Sequence, residues 1–281
     1  MKVKIIVDST ADMAPEISEQ VTTVPLSVHF GSEEYLDGIN LSRQTFYEKL
    51  IESDVMPTTS QATPHAFNQA YEEAMAQGFD EVVVVTISAA LSGTYQSAVI
   101  AAEDYPGKIY VVDSQSVTVG TGILAEYALQ LVQQGLDGAA IAQKLTEKRG
   151  DVRVIALLDT LEYLKRGGRI SKTAAFAGGL LSIKPVAELK NGEIHILGKA
   201  RGSKQGNNLL VTEIEKAGGV DFSMPLMLGY TGLDDHLLQK YIIDSSALWE
   251  GHVTTLRTTL VGSVVGTHAG PGAIAVAFFH N

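Results

Sequence analysis

The 281-residue sequence contains no cysteine. Disulfides, thiolate zinc sites, iron–sulfur clusters and thiol nucleophiles are excluded on that ground, and the lack of thiols fits a reducing cytoplasm. Long apolar runs are also missing. The longest stretch without formal charge, residues 258–279, is broken by four glycines, Pro271 and His268, so no membrane span is expected. The first apolar run meets Asp8 almost at once and reads as a strand rather than a leader. Positive charge is in deficit, with 21 Lys and Arg against 32 Asp and Glu, a net −11. A global footprint for nucleic acid is therefore absent. There is no G-x-x-x-x-G-K-[ST] phosphate loop and no G-x-S-x-G elbow. The seven histidines, at 29, 65, 195, 236, 252, 268 and 280, show no metal-ligand spacing. No metal, cofactor or catalytic residue of its own is expected.

What is present is globular: 45% hydrophobic and 19% charged residues, at a length that suits two domains. Strand patterns at 4–8, 21–30, 82–86 and 109–113 alternate with helical patterns at 64–76, 92–103, 119–134 and 136–149. The four valines at 82–85 read as a strand buried on both faces. Pro25 makes the second run an edge strand or a turn. Such alternation predicts a doubly wound parallel sheet. Beyond it lie a strand at 152–158, a hairpin at 184–189 and 193–197 around Asn191-Gly192, a helix at 206–216, a strand at 226–230, a helix at 233–246, and strands at 253–257 and 273–279. The expected fold is thus α/β with two domains. Residues 1–155 form a Rossmann-like parallel-sheet domain and residues 156–281 a smaller mixed α/β domain.

Ligands of open parallel sheets bind beyond the carboxyl ends of the strands, and hydroxyls crowd those ends. Ser9-Thr10, Ser88 with Ser92-Gly93-Thr94, Ser114, and Thr58-Thr59-Ser60 would meet near one rim. Neutral hydroxyls at helix starts suit one small anion, although each is also an ordinary helix cap. The string Gly120-x-Gly122-x-x-Ala125 is better explained by helix packing than by a dinucleotide. Residues 165–204 carry nine Lys and Arg against two Glu, which points to an anionic ligand or partner, or to a solvated face. Within them Arg166-Gly167-Gly168-Arg169 reads either as an anion wrap or as a helix C-terminus. The apolar run 173–183 reads as the lining of a narrow tunnel or as a core helix. His268 sits in a glycine-rich, uncharged segment, 266–272, read as a loop.

Taken in order and spacing, these strings resemble the DegV family. They are Val7-Asp8-Ser9-Thr10-Ala11-Asp12, Pro57-Thr58-Thr59-Ser60-Gln61, Leu91-Ser92-Gly93-Thr94-Tyr95-Gln96-Ser97-Ala98, Val112-Asp113-Ser114, residues 158–170 with Gly167-Gly168-Arg169, Leu180-Leu181-Ser182-Ile183-Lys184-Pro185 and His268-Ala269-Gly270-Pro271-Gly272. The resemblance spans essentially the whole chain. It implies a long-chain fatty acid, such as palmitate or oleate, held between two α/β domains. Its carboxylate would be bound by Thr59 and Ser92, with Ser60, Gly93, Thr94, Arg169 and His268 nearby. It further implies presentation of the acid to a separate ATP-binding kinase subunit for acyl-phosphate formation in phospholipid metabolism, with the protein itself non-catalytic. Ala89-Ala90 and His65 depart from the family's usual polar residues. A second reading is a stand-alone enzyme on a small phosphorylated substrate, with His268 as acid–base.

Overall fold

The computed structural model describes residues 1–170 and 183–281. The first sheet is parallel, in the order β2-β1-β6-β7, with β1 at Val3–Asp8, β2 at Thr22–Val24, β6 at Glu81–Thr86 and β7 at Ile109–Asp113. The period of two in a strand sends alternate side chains to opposite faces. Val83 and Val85 join one core with Ile123 and Leu124 of α5 (Val119–Gln133). Val82 and Val84 join another with Phe67 and Tyr71 of α3 (Pro64–Ala76). Helices therefore cover both faces, which is why the valine run shows no polar alternation.

The run at 21–30 is two strands rather than one. Pro25 divides β2 from β3 (Ser27–Phe30), and they join different sheets. β3 centres a small antiparallel sheet, β4-β3-β5, with β4 at Glu33–Leu36 and β5 at Thr58–Ser60. Helix α2 (Arg43–Glu52) also lies here, capped by Ser42, whose hydroxyl accepts from the Thr45 N–H. The sequence patterns missed α2, β4 and β5.

The second sheet is mixed and six-stranded, in the order β10-β9-β8-β13-β11-β12. Its strands are β8 (Val152–Leu157), β9 (Ile183–Lys190), β10 (Glu193–Arg201), β11 (Met227–Tyr230), β12 (Thr258–Leu260) and β13 (Ile274–Phe279). Residue 155 lies inside β8, so the change of sheet falls before Val152. The hairpin forms about Asn191 and Gly192, both at positive φ. The expected strand at 253–257 is absent; pairing with β11 begins one residue later, at Thr258. One face of this sheet packs on α8 (Gly202–Lys216) and α9 (His236–Asp244) through Ile155, Val186, Val276 and Phe278. The other face packs on α5, which is shared with the first sheet. Gly120 and Gly122 let α5 come this close. A Cβ on Gly120 would stand 2.3 Å from Val154, and one on Gly122 would stand 2.0 Å from the Asp12 carbonyl oxygen. Packing therefore accounts for the G-x-G string. Among the described residues no helix is long and apolar enough to cross a membrane.

Candidate functional site

A cavity with about 1020 Å³ of empty space, part of it open to solvent, lies between the four-stranded and the six-stranded sheets. Its floor is set by strand register. Ala187 pairs with Ala156, Ala156 with Ala275, and Ala275 with Gly229. A row of residues no larger than alanine therefore crosses four adjacent strands, and all four line the cavity. In the next row Leu189 pairs with Val154, and these larger side chains also line it. Ile87, Leu91 and Val117 face them from the ends of the first sheet. The result is a mainly aliphatic trough.

Thr59, Ser60, Ser92, Arg169 and His268 line this same cavity. Thr59 stands on β5, a strand absent from the sequence patterns, paired with Val28 of β3. His268 is in the last turn of α11 (Ser263–Ala269), not in a loop. This helix follows β12 and packs on α2, β3 and β5, away from the sheet that delivers it. The His268 Nε2 lies 2.9 Å from the Thr59 Oγ1. Its Nδ1 is buried and has no partner among the described residues. Burial, reinforced by the nearby Arg169 charge, lowers the His268 pKa from 6.5 to about 4. The imidazole is therefore neutral at neutral pH.

Helix α7 (Glu162–Arg166) ends at Gly167-Gly168, so the string forms a helix C-terminus. Gly168 turns the chain at φ +70, and the Arg169 N–H reaches back to the Leu164 carbonyl at 3.1 Å, a glycine-terminated helix end. Gly167 makes room for the histidine, because a Cβ there would stand 2.1 Å from the His268 Nδ1. Arg169 donates from Nη1 to the Gly167 carbonyl at 2.7 Å and from Nε to the Leu91 carbonyl at 3.2 Å. That second bond ties it to the residue before Ser92.

Ser92 precedes α4 (Thr94–Ala102), and its hydroxyl lies 2.9 Å from that of Thr94. Thr94 is buried and also accepts from the Ala62 N–H at 3.4 Å. At Gly93 a Cβ would stand 2.1 Å from the Gln61 side-chain oxygen, so that side chain would have to move aside. Ser60 is exposed and bonds His29 at 2.9 Å. Arg169 and Gly93 are exposed, Ser92 is half-buried and Thr94 is buried, so the polar end of the trough reaches the surface.

The other hydroxyl clusters do structural work. Asp8 accepts from the N–H and hydroxyl of Thr10 and from the Ile87 N–H. Asp113 accepts from the N–H groups of Ala89 and Gln115. The basic excess of 165–204 is partly neutralised from just upstream: Arg166 pairs with Glu162 and Lys184 with Asp159, each at 2.7 Å. Residues 173–182 of the apolar run, and Lys172, lie outside the described residues. Ala89, Ala90 and His65 are exposed. No cluster of three or more His, Asp or Glu among the described residues could hold a metal ion.

A family model described as "Uncharacterised protein, DegV family" matches residues 2–281. The chain belongs to the DegV family. A DegV domain-containing protein of Deinococcus radiodurans is 35% identical, over 99% of this chain and 98% of its own. The solved DegV family protein of Thermus thermophilus, described by its fatty acid binding, superposes with a TM-score of 0.87 at 32% identity, covering 99% of this chain and 100% of its own. A stearic acid-binding protein of Eubacterium ventriosum gives 0.86 at 29% identity, over 99% and 97%. The two-sheet architecture is thus that of DegV proteins.

Proposed function

We propose that this DegV family protein binds one long-chain fatty acid, such as palmitate or oleate, with its tail in the trough and its carboxylate at Thr59 and Ser92. The observation that carries the reading is an aliphatic cavity closing on one small group of hydroxyls beside a guanidinium. The fatty acid binding of the Thermus and Eubacterium relatives supports it. The hydrogen bonds supply the donors a carboxylate needs. If His268 carries its proton on Nε2 and donates it to Thr59, the Thr59 hydroxyl proton is left for the ligand. If Thr94 donates to Ser92, the Ser92 proton is released in the same way. Arg169 adds charge at the mouth. A stand-alone phosphoryl enzyme fits less well, because the lining is aliphatic and the neutral His268 adds no positive charge for a phosphate.

The exposed polar end suits presentation of the carboxylate to a separate ATP-binding kinase subunit, which would supply the phosphate and its metal. Protein purified from cells should carry about one equivalent of fatty acid, read by organic extraction and gas chromatography. Less than about a tenth of an equivalent, with no uptake of added palmitate, would overturn the reading; tail burial makes a lower occupancy incompatible with binding.

A further inference from the structure

Thr59 and His268 meet although they are 209 residues apart and come from elements with no strand pairing between them. Their geometry depends on where α11 begins as the chain leaves β12. That point is gripped residue by residue from the N-terminal half. Arg43 donates to the Leu260 carbonyl and, at 3.1 Å, to the Thr259 hydroxyl. Tyr47 donates to the Val261 carbonyl at 3.0 Å. The Gly262 N–H donates to Asp12 at 2.9 Å, and the Ser263 N–H to Asp37 at 3.1 Å. Asp12 also pairs with Arg43 at 3.0 Å and accepts from the Thr118 hydroxyl at 2.6 Å. Thr118 is itself a wall of the cavity, held at φ 51, ψ −131. One turn on, α11 rests on α2 without slack, because a Cβ on Gly266 would stand 2.6 Å from both Phe46 and Tyr47.

Packing alone does not require this arrangement. Asp12 and Asp37 are 0% and 4% exposed, and buried carboxylates are costly beside apolar residues of similar volume. Directional bonds to four consecutive residues fix a position, which apolar contact does not. We infer that Asp12, Asp37, Arg43 and Tyr47 are positioning residues that set where the His268 imidazole meets Thr59. The consequence for a bound carboxylate rests on the fatty-acid reading; the imidazole geometry does not.

The test uses full-length, lipid-free protein labelled with 15N-histidine, with the His268 resonance assigned by its loss in His268→Gln. Asp12→Asn and Tyr47→Phe are compared with Thr59→Val, which deletes the acceptor, and with Leu210→Ala, a cavity variant in the core behind the second sheet. Asp12→Asn and Tyr47→Phe should move the His268 Nε2 resonance toward its value in Thr59→Val. Leu210→Ala should leave it at the wild-type value despite a lower Tm. With 1-13C-palmitate, the two cluster variants should also shift the bound carboxyl resonance and weaken affinity about tenfold, the scale of one impaired charge-assisted bond. A wild-type His268 resonance in both cluster variants, with only Tm reduced, overturns the inference. Tyr47→Phe, which removes one hydroxyl, decides the matter if Asp12→Asn fails to fold. Absence of palmitate uptake by wild-type protein would sink the fatty-acid reading while the lipid-free resonances still decide this one.

Discussion

His268 is one imidazole between a hydroxyl and a guanidinium, with its second nitrogen unpartnered among the described residues. Its pKa is about 4 when folded against 6.5 for an ordinary exposed histidine. Between those values the unfolded chain binds more protons at this position. The histidine's contribution to stability is therefore complete above about pH 6.5 and is lost as the pH falls toward 4, by about 1.4 kcal/mol per unit of separation. In lipid-free protein the Tm of His268→Gln should rise relative to wild type as the pH is lowered through that window. A constant difference would mean that the histidine charges freely. Asp12, raised to about 6, acts in the opposite sense over an overlapping range, so the comparison must be made against the histidine variant rather than from the wild-type curve alone. Ser92 and Thr59 separate binding from positioning. The fourteen methylenes of palmitate contribute about 0.8 kcal/mol each when buried, while one hydrogen bond to the charged head contributes about 1.5–3 kcal/mol. Ser92→Ala and Thr59→Ala should therefore still carry lipid from cells; under the proposed presentation to a kinase subunit, they should lose phosphorylation in an assay reconstituted with that subunit, where a shift of about 1 Å can cost a hundredfold. Empty protein with normal turnover on added fatty acid would show that the hydroxyls serve retention instead.

At the scale of elements the trough depends on register. Ala156 pairs with Ala187 on one side and Ala275 on the other, so a single enlarged side chain in the middle of that row should block it. Ala156→Leu should fold, since the added carbons enter existing space, and should bind octanoate better than palmitate, read by competition against a fluorescent fatty acid. Unchanged palmitate affinity would place the tail elsewhere. The same row shows what a linear reading can see. Short apolar runs exposed β1, β6 and β7, helical patterns exposed α3 to α5, and the Asn191-Gly192 turn exposed the hairpin. A row running across four strands is invisible until the strands are paired, because each contributes one unremarkable alanine or glycine. The short elements were lost for a related reason. β5 is three residues long and paired on one side only, too short for a periodicity to show. α11 contains Gly266, a poor helix former, and is held by side chains from residues 12 to 47; nothing local marks it as a helix. Thr59, Ser92, Arg169 and His268 were legible as family motifs. Asp12 was legible only as the end of a family motif, and Arg43, which bonds the residues leading into α11, carried no local signal.

Over the whole molecule, the cavity is walled by both sheets, and α5 is packed against both. A ligand there touches Val154 and Ala275 of the second sheet as well as Ile87 and Val117 beyond the first. Its binding free energy is therefore available only when both halves are folded. At a palmitate concentration of about 100 times Kd the native state gains about 2.7 kcal/mol by mass action. For a chain of this length that corresponds to a Tm rise of about 5 °C. Differential scanning calorimetry should show the full transition moving upward on loading. If the lipid-free protein melts in two steps, loading should draw them together, because the first half to unfold releases the ligand and with it the stabilisation of the second. A shift confined to one step, with the other fixed, would mean that the fatty acid is held by one half alone and that the second sheet serves only as a cover.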